Sequence, residues 1–177
     1  MKLLIVYSGK NGTVRECIRR LEIALHNIRP TVVCLEQETP SLEDFDVVIV
    51  GGSVYFGRFR PALRRFLKEQ EQALSQKALG MFLCCGLAHE WEYYREKLFP
   101  RVLRDRAFQT LYFGGVLKLE ACSLFDRYVL HSMRASILES EINDGEYTPS
   151  LPGILPENIE RMATYIRQEF VRNDRHL

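Results

Sequence analysis

Several things that would mark a specialised partner are missing from this sequence. Charge of one sign is missing: 24 Lys and Arg stand against 23 Asp and Glu, a net of +1. That leaves no electrostatic case for nucleic acid or another polyanion. Long apolar runs are missing too, since none approaches the roughly 20 residues that span a bilayer. The five cysteines (Cys17, Cys34, Cys84, Cys85 and Cys122) are odd in number and lack C-x-x-C spacing. No metal site is expected from them, and a reduced, cytoplasmic setting is the simplest reading. There is no internal repeat and no low-complexity segment. One Lys precedes an apolar tetrad too short for a signal-peptide core, so no secretory leader is expected. What remains is 177 residues, 46% hydrophobic and 27% charged. That is the composition of a single globular domain, 1–177, able to bury a sizeable core.

The chain opens on Leu3-Leu4-Ile5-Val6, then breaks into Tyr7-Ser8-Gly9-Lys10-Asn11-Gly12-Thr13. A short apolar run beside Gly reads as a strand buried on both faces. The break reads as a tight strand-to-helix turn, which offers hydroxyls, backbone N–H groups and a helix N-terminus to an anion. Val14, Cys17, Ile18, Leu21, Leu25 and Ile28 then recur at helical spacing, predicting a helix over roughly 13–28 that Pro30 stops. Strands follow at 31–35, 46–53 and 78–84, with a fifth strand region over 107–119. The stretches 54–60 and 85–90 read as loops. Pro61 opens a helix lined by Leu63, Phe66 and Leu67. Trp91, Tyr94, Leu98 and Val102 share the buried face of a helix over about 91–105. Residues 121–133 are helical in pattern and 139–153 polar, so an insertion is expected at about 120–153. Pro156 opens a last helix with Ile159, Met162, Ala163, Ile166 and Phe170 on one face. Strands alternating with helices predict an α/β domain with a mostly parallel sheet and helices on both faces.

Ligands of such sheets bind beyond the carboxyl ends of the strands, where the strand order reverses. The loops there are 8–13, 53–60 and 85–90. Tyr7-Ser8 followed by Gly12, the run Gly51-Gly52-Ser53-Val54-Tyr55-Phe56-Gly57, and Phe113-Gly114-Gly115-Val116-Leu117 with Phe125-Asp126-Arg127-Tyr128 resemble the flavodoxin-like family. Within it the chain looks most like the menaquinone-dependent protoporphyrinogen oxidase branch. The resemblance implies a three-layer α/β/α sandwich whose five-stranded parallel sheet has the order 2-1-3-4-5. It also implies flavin mononucleotide (FMN), with Ser8, Gly9, Lys10, Asn11, Gly12 and Thr13 cradling the phosphate. Ser53, Val54, Tyr55, Phe56 and Gly57 would border the isoalloxazine, and Cys85, Gly86, Leu87 and His89 would flank its other side. The activity implied is an FMN-dependent oxidation of heme biosynthesis, with electrons leaving for a quinone or another acceptor. One departure is visible: the hydroxyl that the family often carries two places after Gly12 is Val14 here, with Thr13 one position earlier.

Other readings stand beside these. Tyr55 and Phe56 either contact the flavin or pack under the loop. Cys84 and Cys85 are either redox-active or small buried hydrophobes, and His89 either donates a proton near the flavin or faces water. Arg58, Arg60, Arg64 and Arg65 either attract an anionic substrate or an acidic partner, or form a solvated helix face. Residues 124–133 either meet a membrane surface or quinone, or pack in the core. For the whole chain, the alternatives are a flavodoxin-type electron carrier working with redox-protein partners, and an FMN-free interaction domain, which only Val14 favours. No catalytic acid or base, and no oligomeric state, can be read from the residues.

Overall fold

The computed structural model describes residues 1–9, 12–86, 88–115 and 153–173. Six strands form its sheet: β1 (Leu3–Ser8), β2 (Thr31–Cys34), β3 (Val47–Tyr55), β4 (Arg58–Phe59), β5 (Ala78–Cys84) and β6 (Gln109–Tyr112). Five of them run parallel in the order β2-β1-β3-β5-β6, and β4 pairs antiparallel with the end of β3. With β4 set aside, this is the expected 2-1-3-4-5 order. Among the described residues the helices are α1 (Thr13–Ala24), α2 (Pro61–Glu69), α3 (Glu71–Leu74), α4 (Trp91–Leu98), α5 (Arg101–Arg106) and α6 (Pro156–Asn173), with a 3₁₀ turn at Ala88–Glu90.

Side chains alternate across a strand, so an apolar run feeds two cores at once. Leu4, Val6, Val48, Val50, Met81 and Leu83 meet α2, α3, α4 and α5 through Leu63, Phe66, Leu67, Leu74, Tyr94 and Leu103. Leu3, Ile5, Val47, Ile49 and Phe82 face the other way, onto α1 and α6, through Cys17, Ile18, Leu21, Met162, Ala163 and Ile166. Both faces are covered, which is why strands β1, β3 and β5 read as unbroken apolar runs rather than alternating ones. At the centre, β1 and β3 lie so close that a Cβ on Gly52 would sit 2.4 Å from the Ser8 carbonyl oxygen.

Four boundaries differ from the sequence reading. The first helix ends at Ala24, before Pro30, because His26 turns to a left-handed φ of 54°. The expected loop over 54–60 is a hairpin: β3 runs on through Tyr55 and β4 returns beside it. The expected helix over 91–105 breaks at Phe99–Pro100, where Phe99 is extended (ψ 135°), as a residue before proline prefers. The break resets the helical phase. Val102 is therefore exposed and Leu103 fills the core in its place. Finally, of the expected 107–119, regular strand β6 covers 109–112, and residues 116–119 lie outside the described residues. The chain leaves the described sheet at Gly115, whose N–H donates to the Gly153 carbonyl at 3.3 Å, and Gly114 bridges to Ile154. The expected helix over 121–133 and the polar stretch that follows it lie outside the described residues.

Candidate functional site

Strand order reverses beside β1, between β2 and β3, and the turn after β1 opens there. Gly12 is exposed at the start of α1, and a Cβ built on it meets no atom of the described residues within 4 Å. Among the described residues no side chain caps this helix, so none of them is a side-chain partner for the N–H groups of its first turn. Thr13, the first helical residue, is only 8% exposed, and its hydroxyl oxygen is buried without a hydrogen-bond partner. An orphaned buried hydroxyl at an uncapped helix N-terminus is the arrangement that an anion resolves. Gly9 lies against Val14, with 3.0 Å from its Cβ position to the valine side chain. Lys10 and Asn11 lie outside the described residues.

Ser8, the last residue of β1, is placed differently from a free phosphate donor. Its buried hydroxyl donates to Glu36 Oε1 at 2.7 Å. Glu36 follows β2, which runs alongside β1, and also accepts Arg60 Nε at 2.7 Å and Cys34 Sγ at 3.2 Å. Burial pushes the Glu36 carboxyl up, but the hydrogen bonds from Ser8, Cys34 and Arg60 outweigh it and hold the group below its ordinary 4.5. A carboxyl lowered by folding stabilises fully above its ordinary pKa and loses that contribution as pH falls through the folded value. The stability advantage of the wild type over Glu36→Gln is therefore expected to be largest at neutral pH and to shrink on going to about pH 3. Urea midpoints of both proteins at the two pH values check this. A constant gap would show that Glu36 is not held charged by the fold.

The second loop is built on strain. Phe56 (φ 47°) and Gly57 (φ 70°) form the two central positions of the hairpin turn between β3 and β4. Two consecutive positive φ values make a type I′ turn, whose twist suits a two-residue hairpin. Glycine enters it freely, whereas an aromatic residue there costs about 1–3 kcal/mol. The result is a phenyl ring 41% exposed at the hairpin tip, edge-on to Tyr55 with centroids 4.4 Å apart. Beneath the turn, the Tyr94 ring lies 3.8 Å from the Gly57 Cβ position. Burial first, then a hydrogen bond with Glu90, raises the Tyr94 phenol above its ordinary value. Ser53 and Val54 continue β3 and are half-buried.

The third loop starts from two buried thiols. Cys84 Sγ lies 3.9 Å from Cys17 Sγ of α1. That contact, then burial, raises the Cys84 thiol well above its ordinary value, so it stays neutral. Cys84 packs as a small hydrophobe. Cys85 is buried, and its carbonyl accepts the Tyr112 hydroxyl at 2.7 Å. Gly115 packs against the same carbonyl, 2.1 Å from its Cβ position. Gly86 is half-buried and His89 exposed, while Leu87 lies outside the described residues. Among the four arginines, Arg60 is tied to Glu36, and Arg58, Arg64 and Arg65 are exposed.

A family model described as a flavodoxin domain matches residues 4–140, well over half of the chain. The chain belongs to the flavodoxin-domain family. A curated relative, the protoporphyrinogen IX dehydrogenase (quinone) of Escherichia coli K12, is 31% identical over 78 residues. That match covers 42% of this chain and 43% of the relative, so it spans less than half of the relative's length. Among solved structures, the FMN-bound flavodoxin of Fusobacterium nucleatum superposes with a TM-score of 0.54 at 14% identity. It covers 96% of this chain and 99% of the flavodoxin. The rubredoxin oxygen:oxidoreductase of Desulfovibrio gigas gives 0.53 at 15% identity, over 93% of this chain and 36% of that one. Both structures speak to the flavodoxin fold alone.

In this flavodoxin domain the three expected loops do emerge at one edge of the sheet. What reasoning from sequence missed is the brace between the first two of them. Glu36 joins the turn after β1, the end of β2 and Arg60 at the start of α2, and no local pattern marks it. Tyr94 under the hairpin was read only as a core position.

Proposed function

We propose that this chain is an FMN-dependent oxidoreductase that holds the flavin across the three loops. The observation that carries the reading is the Thr13 hydroxyl, buried and unpartnered at the uncapped N-terminus of α1. Thr13, the backbone of Gly9 and Gly12, and the dipole of α1 would hold the phosphate. The hairpin residues Ser53 to Gly57 would border the ring on one side, with Phe56 the most exposed aromatic there, and Cys85, Gly86 and His89 on the other. Lys10, Asn11 and Leu87 belong to the same proposed set by their place in the chain. Bound FMN supplies the redox chemistry, and the protein supplies binding, orientation and exclusion of water. No helix among the described residues is long and apolar enough to cross a membrane.

The partial likeness to a quinone-linked protoporphyrinogen dehydrogenase supports a porphyrinogen-type substrate and a quinone acceptor. Three measurements test the reading in sequence. Titration of the purified protein with FMN is expected to quench flavin fluorescence at a one-to-one end point. Gly12→Val is expected to weaken that binding about tenfold or more, because a branched side chain fills the open space over the helix end. Anaerobic mixing with protoporphyrinogen IX is then expected to bleach the bound flavin, and a menaquinone analogue to restore its colour. Failure to bind FMN overturns the flavin reading. Flavin that ignores the porphyrinogen but cycles with a ferredoxin-type protein replaces the enzyme by an electron carrier.

A further inference from the structure

Glu36 is an unexpected neighbour for a phosphate seat. It is a carboxylate held ionised at the mouth of a turn otherwise built for an anion. It takes the Ser8 hydroxyl at 2.7 Å and Arg60 Nε at 2.7 Å, so it occupies one donor and one positive charge that a phosphate could use. The groups facing it come from three elements: Ser8 and Tyr7 from β1, Cys34 from β2, and Arg60 from the start of α2. The Tyr7 phenol is raised by burial and by Cys34, and stays neutral. Arg60 is thus the one cation hydrogen-bonded to Glu36 among the described residues. The Thr13 hydroxyl, by contrast, is left without a partner on the same turn.

We propose that Glu36 is the specificity-determining residue of the phosphate seat: it withholds Ser8 and Arg60 from the phosphate and so limits the preference of the site for FMN over riboflavin. This rests on the flavin reading above. A fixed negative charge beside the turn penalises the phosphate dianion and leaves a neutral ribityl tail untouched. Ser8 then acts through Glu36, as a positioning residue, and Thr13 with the helix N-terminus carries the phosphate. The charge set at this seat is adjustable by one residue: an amide at position 36 still accepts from Ser8 but leaves the Arg60 charge uncompensated.

The test is the ratio of FMN to riboflavin affinity, read by fluorescence quenching of the full chain. Glu36→Gln is expected to raise the ratio about fivefold by tightening FMN alone. Arg60→Gln is expected to lower it by a similar factor, and the double variant to return it to within about twofold of wild type. Ser8→Ala is expected to leave the ratio within about twofold. A thermal melt of each variant verifies folding, and the Arg60 and double variants keep the test alive should Glu36→Gln be unstable. An unchanged or lower ratio in Glu36→Gln, or a tenfold fall in Ser8→Ala, overturns the proposal while leaving FMN binding intact. A double variant that stays as low as Arg60→Gln overturns it too, since Arg60 would then be a direct phosphate ligand. Wild-type protein that binds neither flavin overturns the functional reading itself, and this proposal falls with it.

Discussion

Thr13→Val is expected to weaken FMN binding about ten- to a hundredfold and, at the same time, to stabilise the flavin-free protein. The two effects come from one atom. The Thr13 hydroxyl oxygen is buried and has no hydrogen-bond partner, although the residue is only 8% exposed. A buried polar group without a partner costs about 1–3 kcal/mol, and valine removes that cost without changing the branching at Cβ. A hydrogen bond to a charged group contributes about 1.5–3 kcal/mol, and each 1.4 kcal/mol is tenfold in affinity. Losing that bond to a phosphate therefore gives the stated range. Riboflavin has no phosphate, so its affinity is expected to stay within about twofold. Fluorescence titration with both flavins, beside urea denaturation of the apoprotein, reads the two predictions independently. Unchanged FMN affinity would remove Thr13 from the site, and a less stable variant would mean that the hydroxyl is satisfied in solution.

Gly52→Ala is expected to cost about 3 kcal/mol of folding stability or more, the largest stability effect foreseen here. A Cβ at this position falls 2.4 Å from the Ser8 carbonyl oxygen and 2.9 Å from Leu63 Cδ2. Leu63 could move its side chain, whereas the Ser8 carbonyl belongs to the backbone of β1. Relief means prising β1 from β3 where Ser8 registers with Gly52. The turn that begins at Gly9 would shift with it, so FMN binding is expected to fail together with stability. Gly153→Ala is the control: its Cβ meets nothing within 4 Å. It should change the urea midpoint by the equivalent of about 0.5 kcal/mol or less. Equal midpoints for Gly52→Ala and wild type would show that the central pair tolerates separation.

How far the sequence carried the fold depended on whether the signal was local. Leu3–Val6, Val47–Val50 and Ala78–Cys84 announce buried strands because both faces are covered, and the parallel order followed from their alternation with helices. The hairpin at Tyr55–Arg58 was invisible. Its turn lacks the Asn-Gly or Asp-Gly pair that usually marks type I′ geometry, and it places a phenylalanine at positive φ instead. Pro100 breaks the helix even though the apolar spacing from Trp91 through Val102 runs straight across it. The turn after β1 was legible because Gly12 and Thr13 sit directly between a strand and a helix. Glu36 was not, because 28 residues separate it from Ser8 and only the pairing of β2 with β1 brings them together.

The contact between Gly115 and Gly153 lies beside the third loop. The chain departs from the sheet and rejoins it at adjacent backbone positions, linked by a hydrogen bond of 3.3 Å. Closing a chain between two neighbouring points costs loop entropy that grows only slowly with the number of residues between them. Because Gly115 also packs on the Cys85 carbonyl, this junction stands at the rim of the third loop. The hydrogen bond from Gly115 to Gly153 and the packing of Gly115 on Cys85 thus tie the position of the third loop to the point where the last described stretch begins.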